Sequence, residues 1–293
     1  MKKYDAIVIG AGHNGLTNAA YLAKAGLDVA VLERNSYIGG ATVSRELYKD
    51  WTYTNCSYVC SLLRPEIARD LELPRHGLQV VPYGGGVTFK RDGDYYGNYY
   101  DHNRQYREMS RHSKRDANAY ERYTADVMKQ TRLIRPFLLK RPPDPTSLKL
   151  RDLRDLADFA GSFMEMGERG LADTLKFWTK SVGDYLCEYF ETDVIKAHLG
   201  GSGIIGTALG VFSPGTAYVL LHHYMGDVDG NVGSWGFARG GTGAVANAIA
   251  GAFQAEGGEL RTEAGVDKFI VRNGKVTGVA LDNGCLLYTS DAA

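Results

Sequence analysis

The chain has 293 residues with 34 Lys and Arg against 34 Asp and Glu, a formal net charge of zero, and 44% of its residues are hydrophobic. That balance is globular and excludes a disordered tail or a polybasic nucleic-acid binder, and four cysteines are too few for a disulfide-stapled secreted fold. Glycine is the outlier at 36 residues, without a period, which fits tight turns and close approach of backbone to a ligand.

The apolar run Ala6-Ile7-Val8-Ile9 is shorter than the apolar core of at least about seven residues that a signal peptide needs, and it reads as a strand. Gly10-Ala11-Gly12-His13-Asn14-Gly15 follows as a G-x-G-x-x-G turn, and Leu16, Ala19, Ala20, Leu22 and Ala23 recur at helical spacing. Gly26 stands where a helix C-cap favours a left-handed residue, and Val29–Leu32 is a second strand ending at Glu33. Strand, turn, helix, strand and acid are in the register of a dinucleotide fingerprint. Gly10 permits the tight turn, Gly12 lets backbone touch a pyrophosphate, and Gly15 allows helix to pack on strand. The helix N-terminus offers unpaired N–H groups and a positive dipole end. Glu33 would accept from ribose hydroxyls and repel a 2′-phosphate, which favours FAD or NAD over NADP, although adjacent Arg34 weakens that exclusion. The double glycine Gly39-Gly40 lets the chain pass close over a cofactor's phosphates and ribityl chain; an ordinary turn explains it equally well.

Gly201-Ser202-Gly203-Ile204-Ile205-Gly206 repeats the six-residue pattern, but no apolar strand precedes it, and it reads as a packing segment. Residues 85 to 230 are expected to be largely helical. A helical pattern spans Asp116–Leu139, a rigid linker Arg141–Pro145, and Leu148–Leu199 holds several helices with breaks near Gly161, Gly167 and Gly183. The uncharged stretch Ala197–Gly226 is interrupted by seven glycines, Pro214 and three histidines, so it reads as core or channel lining rather than a membrane span. From Gly240 the α/β pattern returns, with a helix over Gly243–Glu256, a strand from Glu259, and Val266–Arg272 and Lys275–Leu281 flanking Asn273-Gly274 as a hairpin. Cys285–Ala293 resembles a translated sequencing adapter and is set aside from fold reasoning.

Other constellations carry less. Cys56 and Cys60 form C-x3-C rather than the C-x4-C of flavin disulfide reductases, so they are expected to be buried or pocket-lining, and Cys187 to be core. His222 and His223 diverge and have no further ligand at metal spacing, so no metal is expected. Tyr95, Tyr96, Tyr99 and Tyr100 read as half-buried strand or loop surface.

Several of these segments together resemble the phytoene desaturase-like FAD-dependent oxidoreductases, over nearly all of residues 4 to 284. They are Asp5 to Gly15, Leu32 to Arg34 through Ile38 to Ala41, Ser61-Leu62-Leu63-Arg64-Pro65, Ser213 to His223, and Gly236 to Ala244. The resemblance implies an α/β fold, with an FAD-binding Rossmann-like domain in two parts, residues 1–84 and 231–284. An inserted, largely helical α+β substrate domain occupies 85–230. The adapter-like residues 285–293 are expected to be a non-native tail, with a genuine short tail as the alternative. It implies FAD held by Gly10, Gly12, His13, Asn14 and Gly15, by Glu33 and Arg34, and by Gly39, Gly40 and Ala41. The backbone of Val266 would meet the adenine end, and the family's last FAD contacts, near its C-terminus, have no counterpart here. The implied activity is hydride transfer between flavin and a largely apolar, carotenoid- or retinoid-like small molecule, which is the expected partner. No nucleophile or acid–base pair stands out, so no catalytic residue is named, and a flavin-fold regulatory or partner-binding protein without turnover stays open. Nucleic acid is not an expected partner, and no protein partner is legible. The expected location is cytoplasmic, with peripheral membrane attachment or, for a eukaryotic source, the mitochondrial matrix as alternatives.

Between His102 and Arg141 the local charge balance is 11 − 4 = +7. This run reads first as a solvated helix face paired with acids from elsewhere, and second as an interfacial patch, residues 102–141, that docks on anionic lipid.

Overall fold

In the computed structural model, which describes residues 3–289, the chain begins with β1 (Lys3–Tyr4), β2 (Ala6–Ile9), α1 (His13–Lys24), β3 (Val29–Leu32), β4 (Ser44–Tyr48), β5 (Trp51–Thr54), α2 (Pro65–Asp70) and β6 (Val80–Pro82). It continues with β7 (Gly85–Phe89), β8 (Tyr95–Tyr99), α3 (His102–His112), α4 (Lys114–Ile134), α5 (Leu150–Met164), α6 (Gly167–Thr179), α7 (Val182–Cys187), α8 (Asp193–Gly201) and α9 (Thr216–Tyr224). The last stretch holds β9 (Asp227–Val228), β10 (Asn231–Val232), β11 (Gly236–Ala238), α10 (Gly243–Ala255), β12 (Glu259–Arg261), β13 (Val266–Arg272), β14 (Lys275–Leu281) and β15 (Leu286–Thr289). The chain divides into two units, one built from the segment up to Tyr83 and the segment from Asp227 onward, the other spanning Gly84–Gly226.

The first unit is a Rossmann-like α/β layer structure. Its parallel sheet runs in the order β12-β3-β2, with Ile7 opposite Ala30 and Val31 opposite Leu260. Because side chains alternate along a strand, the four residues of β3 serve two cores. Val29 and Val31 join Leu16, Ala19, Ala20 and Ala23 of α1 and Ala246, Ile249 and Phe253 of α10, while Ala30 and Leu32 join Tyr4, Val279, Leu281 and Leu287. The alanines of α1 and α10 let the two helices approach closely over that sheet. The second sheet has the order β1-β15-β14-β13, and its hairpin turns at Asn273 and Gly274, both at positive φ (48° and 76°) as a two-residue turn of that hand requires. Residues 286–289, set aside above, form β15, antiparallel to β14 and parallel to β1, with Leu287 buried. Its backbone pairs with both β1 and β14, and Leu287 joins the core of Tyr4, Ala30, Leu32, Val279 and Leu281.

The second unit opens on the β7–β8 hairpin, with Tyr96 buried, and continues as helices. Side chains cap several of these: Asp101 accepts from Arg104 N–H for α3, Ser113 from Asp116 N–H for α4, and Ser181 from Asp184 N–H for α7. Asp116, fully buried, accepts from the N–H groups of Glu191 and Thr192 at 2.9 Å each and so ties α4 to the start of α8. Tyr123 is the centre of an aromatic core with Tyr185, Tyr189, Phe190 and Tyr224. One expected break is corrected: Gly161 lies inside α5. The breaks near Gly167 and Gly183 fall at Gly167 (φ 68°) and at the Ser181 cap, with Gly183 in the first turn of α7 against Phe212. Gly203, in the second six-residue pattern, faces Val182 at a distance that leaves no room for a Cβ, so that glycine serves packing. No described helix is long and apolar enough to cross a membrane.

Candidate functional site

The glycines of the first turn divide into two kinds. Gly10 sits at φ +97°, and the Cβ position of Gly15 is occupied by the Gly10 carbonyl oxygen, so the backbone itself requires glycine at both. Gly12 is different. Its φ and ψ, −73° and 163°, are ordinary extended values, and a Cβ there would meet only Gly40 Cα, at 3.9 Å. Neither conformation nor packing within the protein calls for glycine at position 12; the space in front of it is open.

That space lies at the N-terminus of α1, which has no side-chain cap and no acid in its first turn. The N–H groups of His13, Asn14 and Gly15 have no hydrogen-bond partner among the described residues, and the His13 Nδ1 atom is buried without one. The contrast with α3, α4 and α7 is informative, and even α10, which lacks a cap of its own, has its Gly243 N–H taken by Ser44 Oγ at 2.9 Å. Unpaired N–H groups and the positive end of the helix dipole, with room before them, make an anion cradle.

The double glycine closes over this turn. Gly39 N–H donates to the Ala11 carbonyl at 2.9 Å, Gly39 pairs with Gly12 as an isolated bridge, and Gly40 (φ 57°) packs against Gly12. Gly39 adopts φ 119°, which favours glycine, and Thr42 Oγ1 donates to its carbonyl at 2.8 Å. Ala41, the next residue, is exposed, and its carbonyl accepts from Ser57 N–H.

Glu33 stands at the end of β3 with its carboxylate turned back to the turn. Its Oε2 accepts from Ala11 N–H at 2.9 Å, and its Oε1 accepts from the N–H and Nδ2 of Asn35 at 3.0 and 2.7 Å. Burial pushes the carboxyl up, but the hydrogen bonds from Asn35, Ala11 and Arg34 outweigh it and hold Glu33 below the usual carboxylate range. The acid is therefore ionised and largely occupied by protein donors. Arg34 is exposed, with its Cβ beside Gly265, whose absent side chain also leaves room for Asp282. Val266 follows on β13, opposite Leu281, and packs on the core of Leu32 and Tyr4. The structure thus joins Gly10, Gly12, Gly15, Glu33, Gly39 and Gly40 through direct contacts, with His13 and Asn14 opening α1. It places Arg34 beside the Gly265–Val266 segment.

Asn35 was missed from the sequence. An amide side chain two residues after the ribose acid was the available signal, because Asn readily hydrogen-bonds its own local backbone. Gly241 and Gly243 belong to the Gly236–Ala244 motif, and the structure gives each a packing role. A Cβ at Gly241 would strike Ser44 Oγ, one at Gly243 would meet Ser44 N at 2.9 Å, and Thr242 Oγ1 donates to the Ser57 carbonyl at 2.7 Å, so this motif docks α10 onto β4 and the loop after β5. Cys60 is buried at the wall of a largely apolar cavity of about 250 Å³ lined by Leu63, Pro65, Leu78 and Val80, and burial pushes its thiol up to about 11. Cys56 is exposed and unbonded; Cys187, expected in the core, is also exposed. Among the described residues no three His, Cys, Asp or Glu side chains come together.

An extended, open-fronted turn with bare amides, an orphaned ring nitrogen and an ionised acid in register fits a dinucleotide. Residues 8–67 match the model of an NAD(P)-binding Rossmann-like domain. Over 300 aligned residues, 96% of this chain and 51% of the relative, the sequence is 36% identical to pyridine nucleotide-disulfide oxidoreductase domain-containing protein 2 of Rattus norvegicus. The chain is similar to this relative over nearly its whole length, and its first part carries an NAD(P)-binding Rossmann-like domain. Prolycopene isomerase of Daucus carota is 24% identical over 298 residues, 99% of this chain and 45% of that protein. Among solved structures, a putrescine oxidase superposes with a TM-score of 0.57 at 17% identity, covering 98% of this chain and 56% of that one, which is a likeness of fold. The chain spans about half the length of the curated relatives it matches.

Proposed function

We propose that the protein is an FAD-dependent oxidoreductase that moves a hydride between flavin and a largely apolar small molecule. The observation that carries this reading is the bare N-terminus of α1, with open space reserved at Gly12 and Glu33 in register beside it. FAD, when bound, supplies the ring that takes and gives the hydride. The chain's own residues supply the rest. The N–H groups of His13, Asn14 and Gly15 would hold the pyrophosphate, and the Gly39-Gly40 loop would cover it. Glu33 would offer its remaining lone pair to the ribose and repel a 2′-phosphate. The apolar substrate class draws support from the relative named for prolycopene, and the flavin from the oxidase of like fold.

The test is cofactor uptake followed by reduction. Purified protein incubated with FAD should show flavin absorbance after desalting and release FAD on denaturation, and an apolar polyene or its reduced form should change the flavin spectrum anaerobically. Folded protein that takes up no FAD sinks the reading. Extraction of NAD in its place would indicate a nicotinamide dehydrogenase, and bound flavin that no donor reduces would indicate a partner-binding protein.

A further inference from the structure

Glu33 keeps its charge without a counter-ion. The residue is 8% exposed, and a carboxylate taken out of water is stable only where donors replace the water it loses. Arg34 beside it is exposed, Asp282 lies across Gly265, Glu263 follows β12, Arg261 is engaged by Glu259, and His13 opens α1. None of these forms an ion pair with Glu33 among the described residues; its carboxylate rests on N–H donors instead.

Two of the three hydrogen bonds that this carboxylate accepts at 3.0 Å or less come from one residue. The backbone N–H of Asn35 at 3.0 Å and its Nδ2 at 2.7 Å both meet Oε1, while Ala11 N–H meets Oε2 at 2.9 Å. Holding Oε1 from two directions fixes the rotation of the carboxylate, so that Oε2 stays turned to the Gly10–Gly15 turn. The Asn35 backbone is itself anchored, since its carbonyl accepts from Glu263 N–H at 3.0 Å. The Asn35 side chain belongs to an exposed residue, so it does not fill the core, and Glu33 is the partner its amide takes among the described residues.

We infer that Asn35 is a positioning residue of the cofactor site: its amide holds Glu33 so that the ionised carboxylate presents its Oε2 edge to the ribose. This rests on the FAD-binding reading proposed for the same site. Without the amide, Oε1 keeps only the backbone N–H of Asn35 and the carboxylate is free to turn about its last bond, so an arriving ribose has to order its own acceptor. Burial pushes the Glu33 carboxyl up, and the N–H groups of Asn35 and Ala11, followed by the Asn35 amide, outweigh it, so removal of the amide also moves the titration upward.

Asn35→Ala and Asn35→Asp test this, with Ser36→Ala at the exposed neighbour as the control and circular dichroism verifying that each variant is folded. NMR titration of the Glu33 carboxyl in FAD-free protein should give a higher midpoint in Asn35→Ala than in the parent, and Ser36→Ala should match the parent. Titration of flavin fluorescence at pH 7 should show FAD affinity weakened by about 10-fold in Asn35→Ala, for the loss of one hydrogen bond to a charged group. Asn35→Asp should weaken it by more, because it keeps the shape of the amide but sets a second carboxylate against Glu33. On acidification the affinity of Asn35→Ala should begin to fall at a higher pH than that of the parent, since protonated Glu33 is a poorer acceptor and FAD's own titration is common to both. A residue that served only the fold would lower stability in urea and leave the NMR midpoint and the pH of that fall where they are. An unmoved midpoint in Asn35→Ala overturns the inference, and so does a moved midpoint with FAD affinity equal to the parent's. Parent protein that takes up no FAD overturns the FAD reading and this inference with it, whereas parent and Asn35→Ala proteins that bind FAD equally well overturn this inference alone.

Discussion

Replacing Gly12 by alanine separates the fold from the cradle. At φ −73° and ψ 163° the new residue is unstrained, and its Cβ has only an ordinary contact with Gly40 Cα at 3.9 Å. Loss of glycine's freedom in the unfolded chain should then leave stability unchanged or raise it by about 0.4–1 kcal/mol. The methyl group nonetheless stands where a pyrophosphate must approach the α1 amides. Losing one or two charge-assisted hydrogen bonds at about 1.5–3 kcal/mol each weakens FAD binding by about 100-fold, and Gly12→Val should weaken it further. Gly15→Ala is the counterpart: its Cβ collides with the Gly10 carbonyl oxygen, so it should cost about 1–3 kcal/mol of stability. Urea denaturation followed by circular dichroism gives the stabilities, and titration of flavin fluorescence gives the affinities. The reasoning fails if a folded Gly12→Val protein binds FAD as the parent does, or if Gly12→Ala destabilises the protein as much as Gly15→Ala.

Glu33→Ala should weaken FAD binding by about 1–3 kcal/mol and also lower fold stability by a similar amount, because the N–H of fully buried Ala11 loses its acceptor; an effect on binding with no effect on stability would contradict the brace seen between them. The carboxyl of Glu33 is held below its unfolded value of about 4.3, so its contribution is fully present above that pH and is lost as pH falls through the lower, folded value. The stability gap between the parent and Glu33→Gln should therefore be flat at neutral pH and narrow on acidification in urea titrations; a gap that widens would refute this. With its thiol near 11, Cys60 should resist alkylation at pH 8 until the protein is unfolded, whereas exposed Cys56 and Cys187 are labelled in the folded protein, as peptide mass spectrometry would report. Asp116→Ala leaves the N–H groups of Glu191 and Thr192 without their buried acceptor and should cost about 2–4 kcal/mol in thermal unfolding, with FAD affinity unaltered because it lies in the other unit.

The sequence by itself determined the parts of this protein whose physics is local. The strand, turn and helix from Ala6 to Lys24, the left-handed glycines at 10 and 39 and the Asn273-Gly274 hairpin all follow from periodicity and from backbone conformations that few residues adopt. The tertiary structure decided what depends on partners far apart in the chain. Gly161 looks like a helix breaker in sequence, yet glycine's cost of about 1 kcal/mol in a helix is outweighed by the packing of α5. Residues 286–289 look foreign, yet β-pairing is made by backbone groups and asks only that apolar side chains face the core, which Leu287 does. Gly12, Gly15, Gly241 and Gly243 are alike in sequence. Only the arrangement of Gly10, Gly40 and Ser44 around them shows that three of these glycines make room for protein and that Gly12 keeps room for something else, because the space beside a glycine is defined by what the rest of the chain brings to it.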